Sequence, residues 1–165
     1  LLDVYDFLED KIASLVDAGI PKSKILADPG IGFGKTVEHN LALLARVSLF
    51  HSLGVPLLLG ASSKWTYDRV AEYADGWMPI FQDRARAAAG ALDYAAGIRS
   101  VRECWAKRGR DGEPEFNLFG VPGKRAVIES MQELGFTRQL LGLPSADADT
   151  VLPLLDKYAA LAHIH

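Results

Sequence analysis

Amphipathic stretches with a period near 3.6 residues alternate along this chain with short apolar runs. The first stretch, Asp3 to Asp17, places Val4, Phe7, Leu8, Ile12, Leu15 and Val16 on one helical face, and Gly19 ends it by tolerating a left-handed cap. Lys24 to Ala27 predicts a short strand. Thr36 is placed to cap a helix that runs to Leu53, where Gly54 stops it. Val55 to Leu59 is apolar throughout, as strands covered on both faces are. A helix capped by Ser62 or Ser63 then runs to Ala74, followed by a strand at Gly76 to Ile80. An alanine-rich helix covers Arg84 to Lys107, and alanine favours helix intrinsically. A strand at Glu115 to Val121, a helix at Lys124 to Leu134 and a strand at Thr137 to Leu143 follow. Ser145 caps a last helix to Leu161, with Asp147 and Asp149 near its positive end.

Such alternation means parallel strands joined by helical crossovers. The expected class is α/β: a partial TIM-type (βα) barrel of about five parallel strands, forming a single domain over 1–165. An open doubly wound sheet fits the same order, whereas five strands are too few for a complete eight-stranded barrel. In both architectures ligands bind beyond the carboxyl ends of the strands, so the loops 28–35 and 60–66 carry the candidate chemistry.

Composition narrows the field. With 49% hydrophobic residues the chain has enough for a core, which excludes a disordered segment. No apolar run reaches the roughly 18 residues of a membrane span. Eighteen basic against 21 acidic residues leave a net charge of −3 and no electrostatic footing for nucleic acid. Cys104 is the sole cysteine, so neither an internal disulfide nor a cysteine-based zinc site is expected. No export signal is apparent, and the expected compartment is the cytoplasm. The start at Leu1-Leu2-Asp3, without a methionine, suggests a fragment or a processed chain.

Asp28 stands where a parallel strand ends. A carboxylate there can accept two hydrogen bonds from an amidine-like edge, which suits a pterin or purine ring. It can equally begin a simple Asp-Pro-Gly turn. Gly30, Gly32 and Gly34 let backbone amides approach a ligand, and Lys35 and Thr36 follow them. A nucleotide-binding P-loop would need glycine at position 29, where Pro29 stands. In the second loop Ser62, Ser63, Lys64 and Thr66 gather at a helix start, which makes either an anion site or an ordinary serine-capped helix. Gly60-Ala61-Ser62-Ser63-Lys64 is not a serine-hydrolase nucleophile elbow. Asp28 and Lys64 are one strand-helix-strand unit apart, and neighbouring strands would put both within reach of one ligand.

Other residues carry weaker signals. His39 and His51 lack a metal-ligand spacing, and His163 and His165 sit at the fraying C-terminus. Asp68, Glu72 and Asp75 near Arg69 read as solvated helix charges, Trp65, Trp77 and Trp105 as core, and Cys104 as a small core residue. No residue is assigned a catalytic role and no metal ligand set is found.

The stretch LADPGIGFGKTVEHNLALLARVSLFHSLGVPLLLGAS, Leu26 to Ser62, closely resembles dihydropteroate synthase, and Asp-Pro-Gly-Ile-Gly-Phe-Gly-Lys at 28–35 is highly specific for that pterin-binding family. The resemblance covers about residues 1–62. It implies strands six and seven of an eight-stranded barrel, and an enzyme that joins a dihydropterin diphosphate to p-aminobenzoate with release of diphosphate, using magnesium. Asp28 would bind the pterin ring, Lys64 falls on the pterin-binding lysine, and Gly32, Gly34 and Lys35 complete the expected substrate-binding set. Where that family reads Ser-Arg-Lys-Ser, this chain reads Ser62-Ser63-Lys64-Trp65, so the arginine and second serine that serve the aminobenzoate side are missing.

From Leu57 onward the chain resembles the C-terminal half of luciferase-like flavin or deazaflavin oxidoreductases, through Ala74-Asp75-Gly76-Trp77 and Leu134-Gly135-Phe136-Thr137-Arg138. That resemblance implies a flavin or deazaflavin whose phosphate meets Ser62, Ser63 and Thr66. The overlap implies a junction of two family-like segments within 57–62. Neither segment supplies a complete site. The expectation is therefore pterin recognition with reduced or no catalysis, and self-association or a partner chain that supplies missing strands. An oxidoreductase remnant and a non-catalytic recombinant scaffold are the alternatives.

Overall fold

A computed structural model describes residues 1–63, 65–83 and 91–162. Helix α1 (Leu2–Asp17) buries Ile12 and lays Val4, Tyr5 and Leu8 on a first core made with Leu43, Val47, Phe50, Leu53, Val55 and Leu57. Helix α2 (Val37–Leu44) starts at Thr36, whose hydroxyl accepts the His39 N–H at 3.3 Å, as the sequence suggested. The expected continuation to Leu53 is corrected. The backbone breaks at Arg46 (φ −134°), and Val47–Leu53 winds as a 3-10 helix that ends on left-handed Gly54. Its buried residues explain the change: Val47, Phe50 and Leu53 recur every third position, the 3-10 period, so tighter winding turns all three toward the core.

Four strands form one parallel sheet in chain order, β1 (Leu58–Leu59), β2 (Gly76–Trp77), β3 (Glu115–Val121) and β4 (Arg138–Leu141). Leu58 pairs with Gly76, Gly76 with Glu115, and Asn117 with Arg138. The fifth strand expected at Lys24–Ala27 is reduced to one bridge. Lys22–Lys24 makes a 3-10 turn, and only Ala27 pairs, parallel to Leu57. The Ala27 N–H donates to the Pro56 carbonyl at 2.9 Å, and the Leu58 N–H donates to the Ala27 carbonyl at 2.9 Å. Strands β1 and β2 are shorter than their apolar runs because Pro56 and Pro79 lie within those runs and have no N–H to offer a ladder. Beyond Pro79 the pairing resumes at one bridge, Ile80 to Phe119. The strand order never reverses, so the sheet lacks the switch point of a doubly wound fold.

The second core is centred on Trp77. This ring is fully buried, edge-on to Tyr67 at 5.5 Å and tilted against Phe136 at 6.2 Å. Helix α3 (Thr66–Tyr73) contributes Val70, and α4 (Tyr94–Lys107) contributes Tyr94, Ile98 and Val101. Gly97 is where α4 crosses the indole, and any Cβ there would fall on the ring. Helix α4 is capped by Asp93, which accepts the Ala96 N–H at 3.0 Å, so the expected start at Arg84 is too early; positions 84–90 lie outside the described residues. Helix α5 (Arg125–Leu134) ends on Gly135 at φ 110°. Helix α6 (Ala148–Ala162) is capped by Asp147, whose carboxylate accepts the Thr150 N–H at 3.0 Å, in place of Ser145. Trp105 is buried as expected, whereas Trp65 is 59% exposed.

Candidate functional site

The parallel order sends the loops after Ala27, β1 and β2 to one rim. A cavity of about 500 Å³ opens there. Each paired segment contributes to its wall: Leu26 and Ala27, then Leu59, then Met78 and Ile80, then Phe119, then Leu140. Asp28, Ser63, Thr66 and Arg69 bring polar side chains to an otherwise apolar lining that also includes Ile31 and Phe33.

Asp28 is half-buried in this wall. Its Oδ1 accepts the Gly30 N–H at 2.7 Å, the short-range bond that lets an aspartate start a turn. Among the described residues its Oδ2 accepts no hydrogen bond. Burial pushes the carboxyl above its ordinary value of 3.8, against the lowering effects of the Gly30 N–H and the Lys35 charge. The turn and the ligand-binding reading of Asp28 are thus compatible: one oxygen shapes the loop, and the other is left without a partner among the described residues.

Gly30, Gly32 and Gly34 take φ values of 66°, 86° and 60°, a left-handed conformation that side chains resist. They shape the loop without lining the cavity. Lys35 also turns inward on the loop, donating to the Gly30 carbonyl at 2.7 Å and the Phe33 carbonyl at 3.2 Å. The residue that ties this loop to α2 is Asn40, which the sequence reading passed over. Its Oδ1 accepts the Gly32 N–H at 2.7 Å, while its Nδ2 donates to the carbonyls of Lys35 (3.3 Å) and Thr36 (2.9 Å). A usable signal was present: asparagine is a poor helix former, and it stands in the first turns of α2 directly after a glycine loop. Asn40→Ala is expected to cost about 1–2 kcal/mol and to speed limited proteolysis within 30–35. Unchanged cleavage would show that the loop is held by other contacts.

The second loop departs from the serine-capped helix. Trp65 occupies the N-cap of α3 without a side-chain cap bond. The Ser63 N–H donates to Thr66 Oγ1 at 3.1 Å, and the two hydroxyls lie 3.0 Å apart. Ala61 holds a positive φ of 80°, rare for a residue with a Cβ. Its carbonyl accepts the Trp77 indole N–H at 3.0 Å, so the second core fixes this loop. Ser63 and Thr66 line the cavity and Ser62 does not. Lys64 lies outside the described residues. Because Ala27 pairs directly with Leu57, no strand separates the Asp28 loop from the 60–63 loop. Asp75, read from sequence as a solvated helix charge, instead accepts the Leu57 N–H at 2.8 Å, and Asp68 and Glu72 face Arg108 rather than Arg69.

A family profile described as pterin binding enzyme matches residues 2–102, running through the 57–62 stretch. Dihydropteroate synthase of Streptococcus pyogenes is 39% identical over 100 residues, which are 61% of this chain and 37% of that protein. Dihydropteroate synthase of Escherichia coli K12 is 48% identical over 62 residues, 38% of this chain and 22% of that protein. The same enzyme from a serotype M3 strain of S. pyogenes is 40% identical over 95 residues, 58% of this chain and 34% of that protein. The chain therefore spans about a third or less of the length of these relatives. These matches support the synthase resemblance and not the oxidoreductase one. With its family profile spanning more than half of its length and centred on the Asp28 loop, the chain belongs to the pterin-binding enzyme family.

Proposed function

We propose that this chain is a pterin-recognition segment of the dihydropteroate synthase type, built as part of a TIM-type barrel. The observation that carries the reading is Asp28, the one carboxylate among the described residues lining a mostly apolar cavity. A pterin ring has flat apolar faces and an edge of N–H donors. Such a ring fills a slot walled by Ile31, Phe33 and Ile80 and presents its donors to a carboxylate. Hydrogen bonds to an ionised carboxylate are stronger than those to a neutral acceptor. Lys64 would donate to the ring carbonyl. Gly32, Gly34 and Lys35 act indirectly in this reading, by holding the loop that carries Asp28.

Similarity to relatives named dihydropteroate synthase supports a part in group transfer, in which p-aminobenzoate nitrogen would displace diphosphate from the dihydropterin methylene. Catalysis needs both substrates held together. Recognition of the ring is the part of that chemistry assigned to these residues. Among the described residues Asp28 is the only carboxylate of the cavity and no group of three or more His, Cys, Asp or Glu is gathered, so these residues do not form a cage for magnesium.

A thermal-shift comparison tests the reading. Dihydropterin at millimolar concentration is expected to raise the unfolding midpoint, and flavin mononucleotide is expected to leave it unchanged. The reverse pattern would favour a cofactor phosphate at Ser63 and Thr66, and no shift with either would favour a scaffold without a ligand.

The rim also leaves apolar surface in water. Phe33 is 65% exposed, and Ile80 and Phe119 are each 50% exposed. Among the described residues strand β4 has one sheet neighbour, β3. Open edges and apolar patches invite association. Sedimentation is expected to show weight-average mass rising with concentration. A constant monomer mass up to hundreds of micromolar would contradict this.

A further inference from the structure

We propose that Arg69 is a specificity-determining residue of this cavity and takes an oxyanion carried by the ligand, a carboxylate or a phosphate. The proposal rests on the pterin reading for the rest of the ligand. Arg69 stands on α3, one turn beyond Thr66, and both residues line the same cavity as Asp28. Neighbouring acids do not neutralise it: Asp68 and Glu72 are both 3.4 Å from the Arg108 guanidinium. Among the described residues the Arg69 guanidinium has no hydrogen bond or ion pair, and its charge is otherwise felt at the Tyr73 phenol. Among the described residues the charged side chains of the lining are thus one carboxylate, on the loop after Ala27, and one guanidinium, on α3.

That arrangement sorts ligands by chemistry. A donor-bearing ring edge belongs at Asp28, and an anionic substituent belongs at Arg69. A planar guanidinium binds carboxylate or phosphate oxygens in pairs, so the contact is directional as well as attractive. A neutral ring without the substituent leaves Arg69 in water and gains nothing from it.

The test compares pterin with pterin-6-carboxylate, by fluorescence titration, on wild type, Arg69→Met and Arg69→Lys. Arg69 is exposed, so the variants are expected to fold, and circular dichroism checks that they do. Wild type is expected to bind pterin-6-carboxylate about ten-fold or more tightly than pterin. Arg69→Met removes that preference, whereas Arg69→Lys keeps part of it. A preference that survives Arg69→Met, or wild-type affinities that are equal for the two compounds, overturns the proposal. Inorganic phosphate and benzoate as competitors distinguish the oxyanion classes. If pterin fails to bind wild type while benzoate or phosphate binds in an Arg69-dependent way, the pterin reading falls and the oxyanion site stands. If none of the probes binds, both fall.

Discussion

Trp77→Ala is expected to lower stability by about 3–5 kcal/mol, the range for removing a fully buried aromatic side chain. Domains of this size hold only about 5–15 kcal/mol in total, so this variant is expected to sit near the edge of folding. The size of the effect follows from how many elements meet on one ring. Tyr67 from α3 and Phe136 from the turn after α5 contact its edge and face, and the backbone of α4 lies against it at Gly97. The loss reaches the site as well, because the indole N–H holds the Ala61 carbonyl at the cavity rim. Trp77→Phe separates the two roles. It keeps most of the apolar volume, loses the hydrogen bond, and is expected to cost about 1–2 kcal/mol with weaker pterin binding. Denaturant melts of both variants check this, and a loss below about 1 kcal/mol for Trp77→Ala would contradict the central place given to the ring.

Asp28→Asn is expected to weaken dihydropterin binding about 30-fold or more while raising stability at neutral pH. The two effects have opposite signs for one physical reason. Asparagine keeps an oxygen for the Gly30 N–H, so the turn survives, but the charge that attracts the ring edge is gone. The stability sign follows from burial, which raises the folded-state pKa of Asp28 above its ordinary 3.8. A raised carboxyl pKa favours folding most when the group is protonated, below its unfolded value, and that contribution is lost as pH rises through the folded value. Asparagine does not titrate. The unfolding midpoints of the two proteins are therefore expected to lie close together in acid and to diverge toward neutral pH, with the variant higher. Parallel melting curves across that range would contradict the burial of a charged carboxylate.

Periodicity revealed the alternation of helices and parallel strands, and β3 was located to the residue. What it missed has identifiable causes. Val47, Phe50 and Leu53 fit a helical face as well as a 3-10 one, and only packing distinguishes them. Pro56 and Pro79 were visible in the apolar runs, yet how far each shortens its strand depends on the partner strand. At the site, motif chemistry singled out Asp28, which the cavity lining includes. Lys35 also stood out by its charge, but its ammonium closes its own loop. In sequence Arg69 stands among Asp68, Glu72 and Asp75, which read as solvated helix charges beside it, whereas Asp68 and Glu72 face Arg108 in the fold. Ala61 and Asn40 carry no chemical signature, since their importance lies in a backbone carbonyl and in amide bonds to a loop.

Calorimetric titration of a dihydropterin into wild type and Asp28→Asn at neutral pH addresses the ring-reading carboxylate most directly. Saturable heat with one ligand per chain in wild type, and a midpoint shifted about 30-fold or more to higher ligand in the variant, is the expected result. Equal heats in the two proteins, or none in wild type, would show that Asp28 does no more than start a turn.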